Sequence, residues 1–229
     1  MKHYLFLMIF SISASISAKE NFLKCKIFFA NTNVVEGFAT LPTNKSMENK
    51  IRYKAKLKSS NVVKIDGSKL DRIIYYIDDS PRVFYNTKFY KTMLDDKNKI
   101  RKKIFRPYWV LSAFMDDDLF VYWLSEDYRV SNKGKLVCYS DSNMALGDYE
   151  TVILVKRPDE DIPTMFSFHS TGYITNGDKF FKRIAQAYFE KDKKILRRIK
   201  KNEFSLERYD ELIRAYCKCN YQDPFYIRY

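Results

Sequence analysis

Short apolar runs recur between turn signals from about Phe22 to Ser170, and the apolar spacing becomes helical after Gly172. The runs are Cys25–Ala30, Val34–Thr40, Ile51–Leu57, Val62–Ile65, Arg72–Ile77, Arg82–Tyr85, Tyr108–Phe114, Leu119–Leu124, Lys135–Tyr139, Thr151–Val155 and Met165–His169. They are rich in Val, Ile, Phe and Tyr and read as strands. Asp116-Asp117-Asp118 and Asn132-Lys133-Gly134 read as hairpin turns, Gly134 supplying a positive φ. Val152–Val155 and Phe120–Leu124 are almost continuously apolar, so both of their faces should be covered. Ile51-Arg52-Tyr53-Lys54-Ala55-Lys56-Leu57-Lys58 alternates instead, which gives one buried and one cationic face. The polar stretches Asp95–Lys103 and Arg157–Pro163 read as loops.

In the last quarter, Phe181, Ile184, Ala185 and Tyr188 follow the i, i+3, i+4, i+7 stripe of a helix opened by Asn176-Gly177-Asp178. Helix character continues, after a break near Asp192, through Ile195, Leu196 and Ile199 to a stop at Asn202. Ser205 should cap a second helix with Leu206, Tyr209, Leu212, Ile213 and Tyr216 on its apolar face. The expected fold class is α+β: a predominantly antiparallel β-sheet or partly closed β-barrel, followed by C-terminal helices packed against it. Residues 19–170 are read as the β-rich region and 171–219 as the helical region of one domain, with a tail at 220–229.

The first residues change the picture of where the chain works. Met1-Lys2-His3-Tyr4 is a short basic start, Leu5–Ile16 is apolar or small, and Ser15, Ser17 and Ala18 suit a cleavage site. This is the pattern of a secretory signal peptide over residues 1–18. The apolar stretch is shorter than the roughly 20 residues a spanning helix needs. Cys25 does not directly follow that stretch, so it reads as a folded-domain residue and not a lipid anchor. The expected location is exported: periplasmic, envelope-associated or secreted.

The formal net charge of +13 favours polyanionic partners, here an anionic envelope component. The same excess of Lys, Asn, Ile, Tyr and Phe also arises from AT-rich coding. Two basic features stand out. One is the face of Lys50, Arg52, Lys54, Lys56 and Lys58. The other is Lys191–Lys201. The first is the candidate anion-binding site; a solvated face or a protected sheet edge is the plainer reading of both.

Catalytic patterns are weak. There is no Gly-rich phosphate loop. Outside the leader His169 is the sole His, with Ser167 at i−2, too far along a strand for a direct hydrogen bond. Asp78-Asp79, Asp95-Asp96, Asp116–Asp118 and Asp159–Asp161 all sit at expected turns, which Asp favours. No catalytic residue, cofactor or metal is therefore assigned, and the expectation is a non-enzymatic envelope binding or structural module, with a polyanion-binding protein using the basic strand face and then a hydrolase built around His169 as the alternatives. Of the four Cys, a disulfide could join Cys25 to Cys138 or either to the last helix, while Cys217 and Cys219 are too close to pair easily. Cys217-Lys218-Cys219 is at most a redox or metal half-site without further ligands.

Gly37-Phe38-Ala39-Thr40-Leu41-Pro42, Lys50-Ile51-Arg52-Tyr53-Lys54 and Lys69-Leu70-Asp71-Arg72-Ile73-Ile74-Tyr75 resemble the start of exported bacterial β-rich proteins of unknown function. Ala187-Tyr188-Phe189-Glu190 and Ala215-Tyr216-Cys217 are similar to their short C-terminal helical region. The resemblance implies an envelope or secreted protein and no particular activity.

Overall fold

The computed structural model describes residues 21–45, 49–78, 80–95, 97, 99–139, 151–169 and 177–219. The leader at 1–18 and the tail at 220–229 lie outside them. Twelve strands precede three helices: β1 Leu23–Phe29, β2 Val34–Ala39, β3 Lys50–Lys54, β4 Val63–Asp66, β5 Leu70–Ile77, β6 Ser80–Leu94, β7 Ile100–Met115, β8 Phe120–Ser125, β9 Asp127–Val130, β10 Leu136–Tyr139, β11 Thr151–Lys156, β12 Thr164–His169, then α1 Gly177–Tyr188, α2 Lys193–Lys200 and α3 Tyr209–Cys217.

Ten strands form one sheet in the order β12-β11-β8-β7-β6-β5-β1-β2-β3-β4, and β9 and β10 form a hairpin of their own. Neighbours pair antiparallel, apart from one parallel bridge, Thr164 to Tyr90, that returns β12 to β6. Thr92 Oγ1 donates to Met165 O at 3.0 Å and Tyr90 N to Pro163 O at 2.9 Å across the same seam. That end of the sheet curls upon itself, and the whole is not a clear barrel.

The curl explains the near-continuous apolar runs. Val121 and Trp123 of β8 and Ile153 and Val155 of β11 belong to a core shared with the helices and the β9–β10 hairpin. The alternate residues Tyr122, Leu124, Val152 and Leu154 join Phe89, Tyr108, Val110, Met165 and Phe168 in a second core on the opposite face. Strands with both faces buried need no polar alternation. Phe166 anchors the helices: its ring meets Phe181 and Phe189 edge-on at 5.5 and 5.8 Å.

Two expectations change, and a third is sharpened. The stretch Asp95–Lys103 is shorter as a loop than expected: residues 100–103 belong to β7, because β6 and β7 are 15 and 16 residues long and pair as far as Leu94 with Ile100. Arg101, Lys102, Lys103 and Ile104 are all exposed; a strand end without a buried face carries no period-two pattern to read. The turn is held by Asp95, whose Oδ1 accepts from Lys99 N at 2.8 Å and Lys97 N at 3.0 Å. Ser205 makes no side-chain cap and opens a 3-10 turn, Leu206–Arg208, ahead of α3; Asp178 Oδ1 accepts from Leu206 N instead, at 2.7 Å. The break near Asp192 is a true helix start, its carboxylate accepting from Lys194 N and Ile195 N at 3.0 and 2.9 Å. The turns at Asp116 and Gly134 form as expected, with Gly134 at φ 78°.

Candidate anion-binding face

The alternating segment at 50–58 is only half strand. Lys50, Arg52 and Lys54 lie on β3, whose last pairing to β2 is Lys54 with Phe38. Beyond it the chain has no ladder partner and turns, Ser59 N donating to Lys56 O at 3.0 Å. Lys56 and Lys58 are therefore exposed turn residues and not part of a strand face. Asp66 stands opposite Lys50 on β4.

The register supplies what the segment lacks. Residues paired across antiparallel strands share a face. Lys24 of β1 pairs with Phe38 of β2, and Phe38 with Lys54 of β3. On the other side of β1, the pairing of Cys25 with Tyr75 puts Tyr76 beside Lys24. One row across four strands thus reads Tyr76, Lys24, Phe38, Lys54, alternately aromatic and cationic. The Lys24 ammonium lies 5.8 Å from the Tyr76 ring centre, and Lys54 lies 4.4 Å from that of Phe22. A second row reads Tyr85, Arg72, Phe28, Val34, with the Arg72 guanidinium 4.1 Å above Phe28. Arg52 and Lys64, paired on β3 and β4, extend the charge to the sheet edge.

None of these residues is buried. The opposite side of the same strands, Cys25, Ile27, Ala39, Ile51, Ile73 and Tyr75, is core. The curl at β6–β12 covers the corresponding face at the other end and leaves this half open. The acids on it are few: Glu36 holds Lys26 at 3.2 Å, and Asp71 holds Arg72 at 2.5 Å. Gly37 keeps the strand spacing tight on the inner side, since a Cβ there would lie 2.6 Å from the Tyr53 ring and 2.5 Å from Lys54 O.

Sequence reasoning found Arg52 and Lys54 and missed Lys24, Lys64, Arg72 and the aromatics. Leu23-Lys24-Cys25-Lys26-Ile27 carries its own alternation, which could have shown Lys24 and Lys26. Their adjacency to β3 depends on register, which no local pattern contains.

The other sequence candidates stay apart from this face. The basic helix α2 buries Ile195 and Ile199 and exposes Lys193, Lys194, Arg197 and Lys200, while Arg198 pairs with Glu203 at 2.7 Å. It borders an open groove of about 540 Å³ lined by Arg157, Asp159, Lys191, Asp192, Lys193 and Tyr216. The charges there are mixed, and Arg157 is engaged: it pairs with Glu160 at 3.4 Å, donates to Tyr188 O and stacks on the Tyr188 ring at 4.2 Å. Burial and the Glu160 carboxylate to which it donates, at 2.6 Å, hold the Tyr188 phenol well above its ordinary pKa. This cluster pins the β11–β12 loop to α1. His169 ends β12, and its side chain lies outside the described residues. The four cysteines are free thiols, and the bridges considered between Cys25, Cys138 and the last helix are not formed. Cys25 is buried in β1, which pushes its thiol up to about 12. No helix among the described residues is long and apolar enough to cross a membrane.

No family model matches the chain, and no curated protein and no solved structure is significantly similar to it.

Proposed function

We propose that the protein is an exported, non-catalytic binding module of the cell envelope whose ligand is an extended anionic polymer. The observation that carries this reading is the open sheet face on which Lys24, Lys54 and Arg72 alternate with Tyr76, Phe38, Phe28 and Tyr85, with Arg52 and Lys64 beside them toward the sheet edge. Cations two strands apart in a row, about 9–10 Å, can follow the charges of a linear polyanion. The exposed Tyr76 and the partly buried Phe28, Phe38 and Tyr85 between and beside them offer ring surfaces for stacking, as in grooves that bind single strands of nucleic acid. Export rests on the leader at 1–18, with cleavage after Ala18; amino-terminal sequencing of the protein from fractionated cells should begin at Lys19.

The binding test uses two probes, heparin and an oligothymidylate, with the wild type and the double variant K24E/K54E. At low salt the variant should bind at least about tenfold more weakly, and its log K against log salt should be less steep by one or two ionic contacts. Equal affinity and equal slope would remove the face from consideration. Loss of oligothymidylate binding alone in F38A would assign the rings to base stacking, and equal loss with heparin to general contact.

A further inference from the structure

The carboxyl end of α3 brings together three side chains that the anion-binding face does not involve. Lys218 caps the helix in the left-handed region, at φ 53° and ψ 35°. A left-handed cap is an ordinary helix ending, although glycine is its usual occupant. It does not by itself account for where the flanking thiols go. Cys217 and Cys219 converge on Asp116, about a hundred residues earlier at the start of the β7–β8 turn, and the two sulfurs and a carboxylate oxygen lie within 4.8 Å of one another. The two cysteines are partly buried and rest against the main core. Asp116 is itself fixed: its backbone N donates to Leu119 O at 3.1 Å, and its Oδ1 accepts from Asp117 N at 2.6 Å.

We infer that Asp116, Cys217 and Cys219 form a binding site for one zinc-like divalent ion, which fastens the β7–β8 turn to the end of α3. Thiolate and carboxylate oxygen are both zinc ligands, at about 2.3 and 2.0–2.2 Å, and three atoms this close can share one ion. Two sulfurs select a borderline-soft cation over magnesium or calcium. A tetrahedral ion keeps a fourth position for water or for an incoming ligand. Binding displaces the proton of each thiol to solvent, so two thiolates and one carboxylate meet a charge of two, and affinity rises with pH.

The test is an anaerobic titration of the reduced full chain with Co²⁺, followed by competition with Zn²⁺. The expected result is one equivalent of cobalt with sulfur-to-metal charge-transfer absorption, displaced by zinc. C217S and C219S should lose that absorption, and C138S should keep it. D116N preserves the turn, because an amide oxygen still accepts from Asp117 N, and it should bind at least about tenfold more weakly. Zinc should raise the melting temperature of the wild type more than that of D116N at the same concentration. Absence of thiolate-to-cobalt absorption in the wild type would overturn the assignment. So would unchanged affinity in D116N, or Cys217 or Cys219 found in a disulfide in protein recovered from its native compartment.

Discussion

Asn44 closes the gap where β7 and β8 part, and its replacement should be among the costliest single changes outside the apolar core. Its Nδ2 donates to Trp109 O at 2.9 Å and to Ser125 O at 2.7 Å, while its Oδ1 accepts from Trp109 N at 2.9 Å. The side chain thereby stands in for a missing stretch of strand. In N44A, Trp109 O still accepts from the Tyr128 hydroxyl at 2.9 Å. Trp109 N loses the acceptor named here, and Ser125 O loses one of its contacts. Each buried group left unsatisfied costs about 1–3 kcal/mol. Asn44 is half-exposed, so water can reach part of the gap, and about 3 kcal/mol in total is expected. For a chain of this size that is a drop of roughly 6–12 °C in melting temperature. N44D sharpens the test. It retains the acceptor for Trp109 N but aims a carboxylate at two carbonyl oxygens. Their repulsion raises the folded-state pKa of the introduced acid above its unfolded value. Its stability relative to wild type is then greatest below the ordinary carboxylate pKa and is lost as pH rises through the folded value. Thermal melts followed by circular dichroism at pH 4 and pH 7 should show N44D closer to wild type at the lower pH. A melting temperature for N44A within about 2 °C of wild type, or a pH trend of opposite sign, would refute the reasoning.

F166A should cost about 3–5 kcal/mol, because Phe166 is fully buried and meets both Phe181 and Phe189; chemical denaturation measures it, and loosening should be greatest in α1 by hydrogen exchange. G37A should destabilise by about 1–3 kcal/mol, since the Lys54 carbonyl 2.5 Å from the new Cβ is backbone and cannot swing away; Y53A should relieve little of that loss. D192A removes the cap of α2 and should cost about 1 kcal/mol, with the change confined to residues near 193–200. At pH 8 a thiol titrating near 12 is thiolate on the order of one part in ten thousand, so iodoacetamide should leave Cys25 unmodified in the native protein and alkylate it in denaturant.

Much of the architecture is written in local pattern. Strands with one wet face, such as β1 and β3, and helices with one dry stripe, such as α1, announce themselves because period and burial coincide. The arm formed by Lys88–Leu94 and Ile100–Arg106 does not, because few of its residues face a core that would impose a period. β9 was also missed: Asp127-Tyr128-Arg129-Val130 is too short to show alternation, and what fixes it is Tyr128, buried against Phe84 with ring centres 4.9 Å apart. Its hydroxyl donates to Trp109 O or Trp123 O and accepts from Ser125 N. That role belongs to the tertiary structure and leaves no trace at neighbouring positions.

The two sites divide along the same line. Three of the five basic residues singled out at 50–58 remain on the open face, because β3 holds Lys50, Arg52 and Lys54 and ends at Lys54, opposite Phe38. Charge at those positions was legible; its alternation with rings was not, since Tyr76, Lys24, Phe38 and Lys54 come from four strands whose order is fixed only by pairing. The Asp116, Cys217 and Cys219 cluster is the stronger case. Asp116 read alone is a turn residue, and Cys217-Lys218-Cys219 read alone is half a site. Long-range packing of α3 on the core joins the two halves. If the ion binds, it ties the last helix to a turn at the centre of the chain, and the open face at β1–β4 is left free to engage its polymer on the other end of the sheet. Polymer binding should accordingly survive D116N unchanged, and cobalt binding should survive K24E/K54E; a loss in either crossed experiment would mean that the two surfaces are coupled.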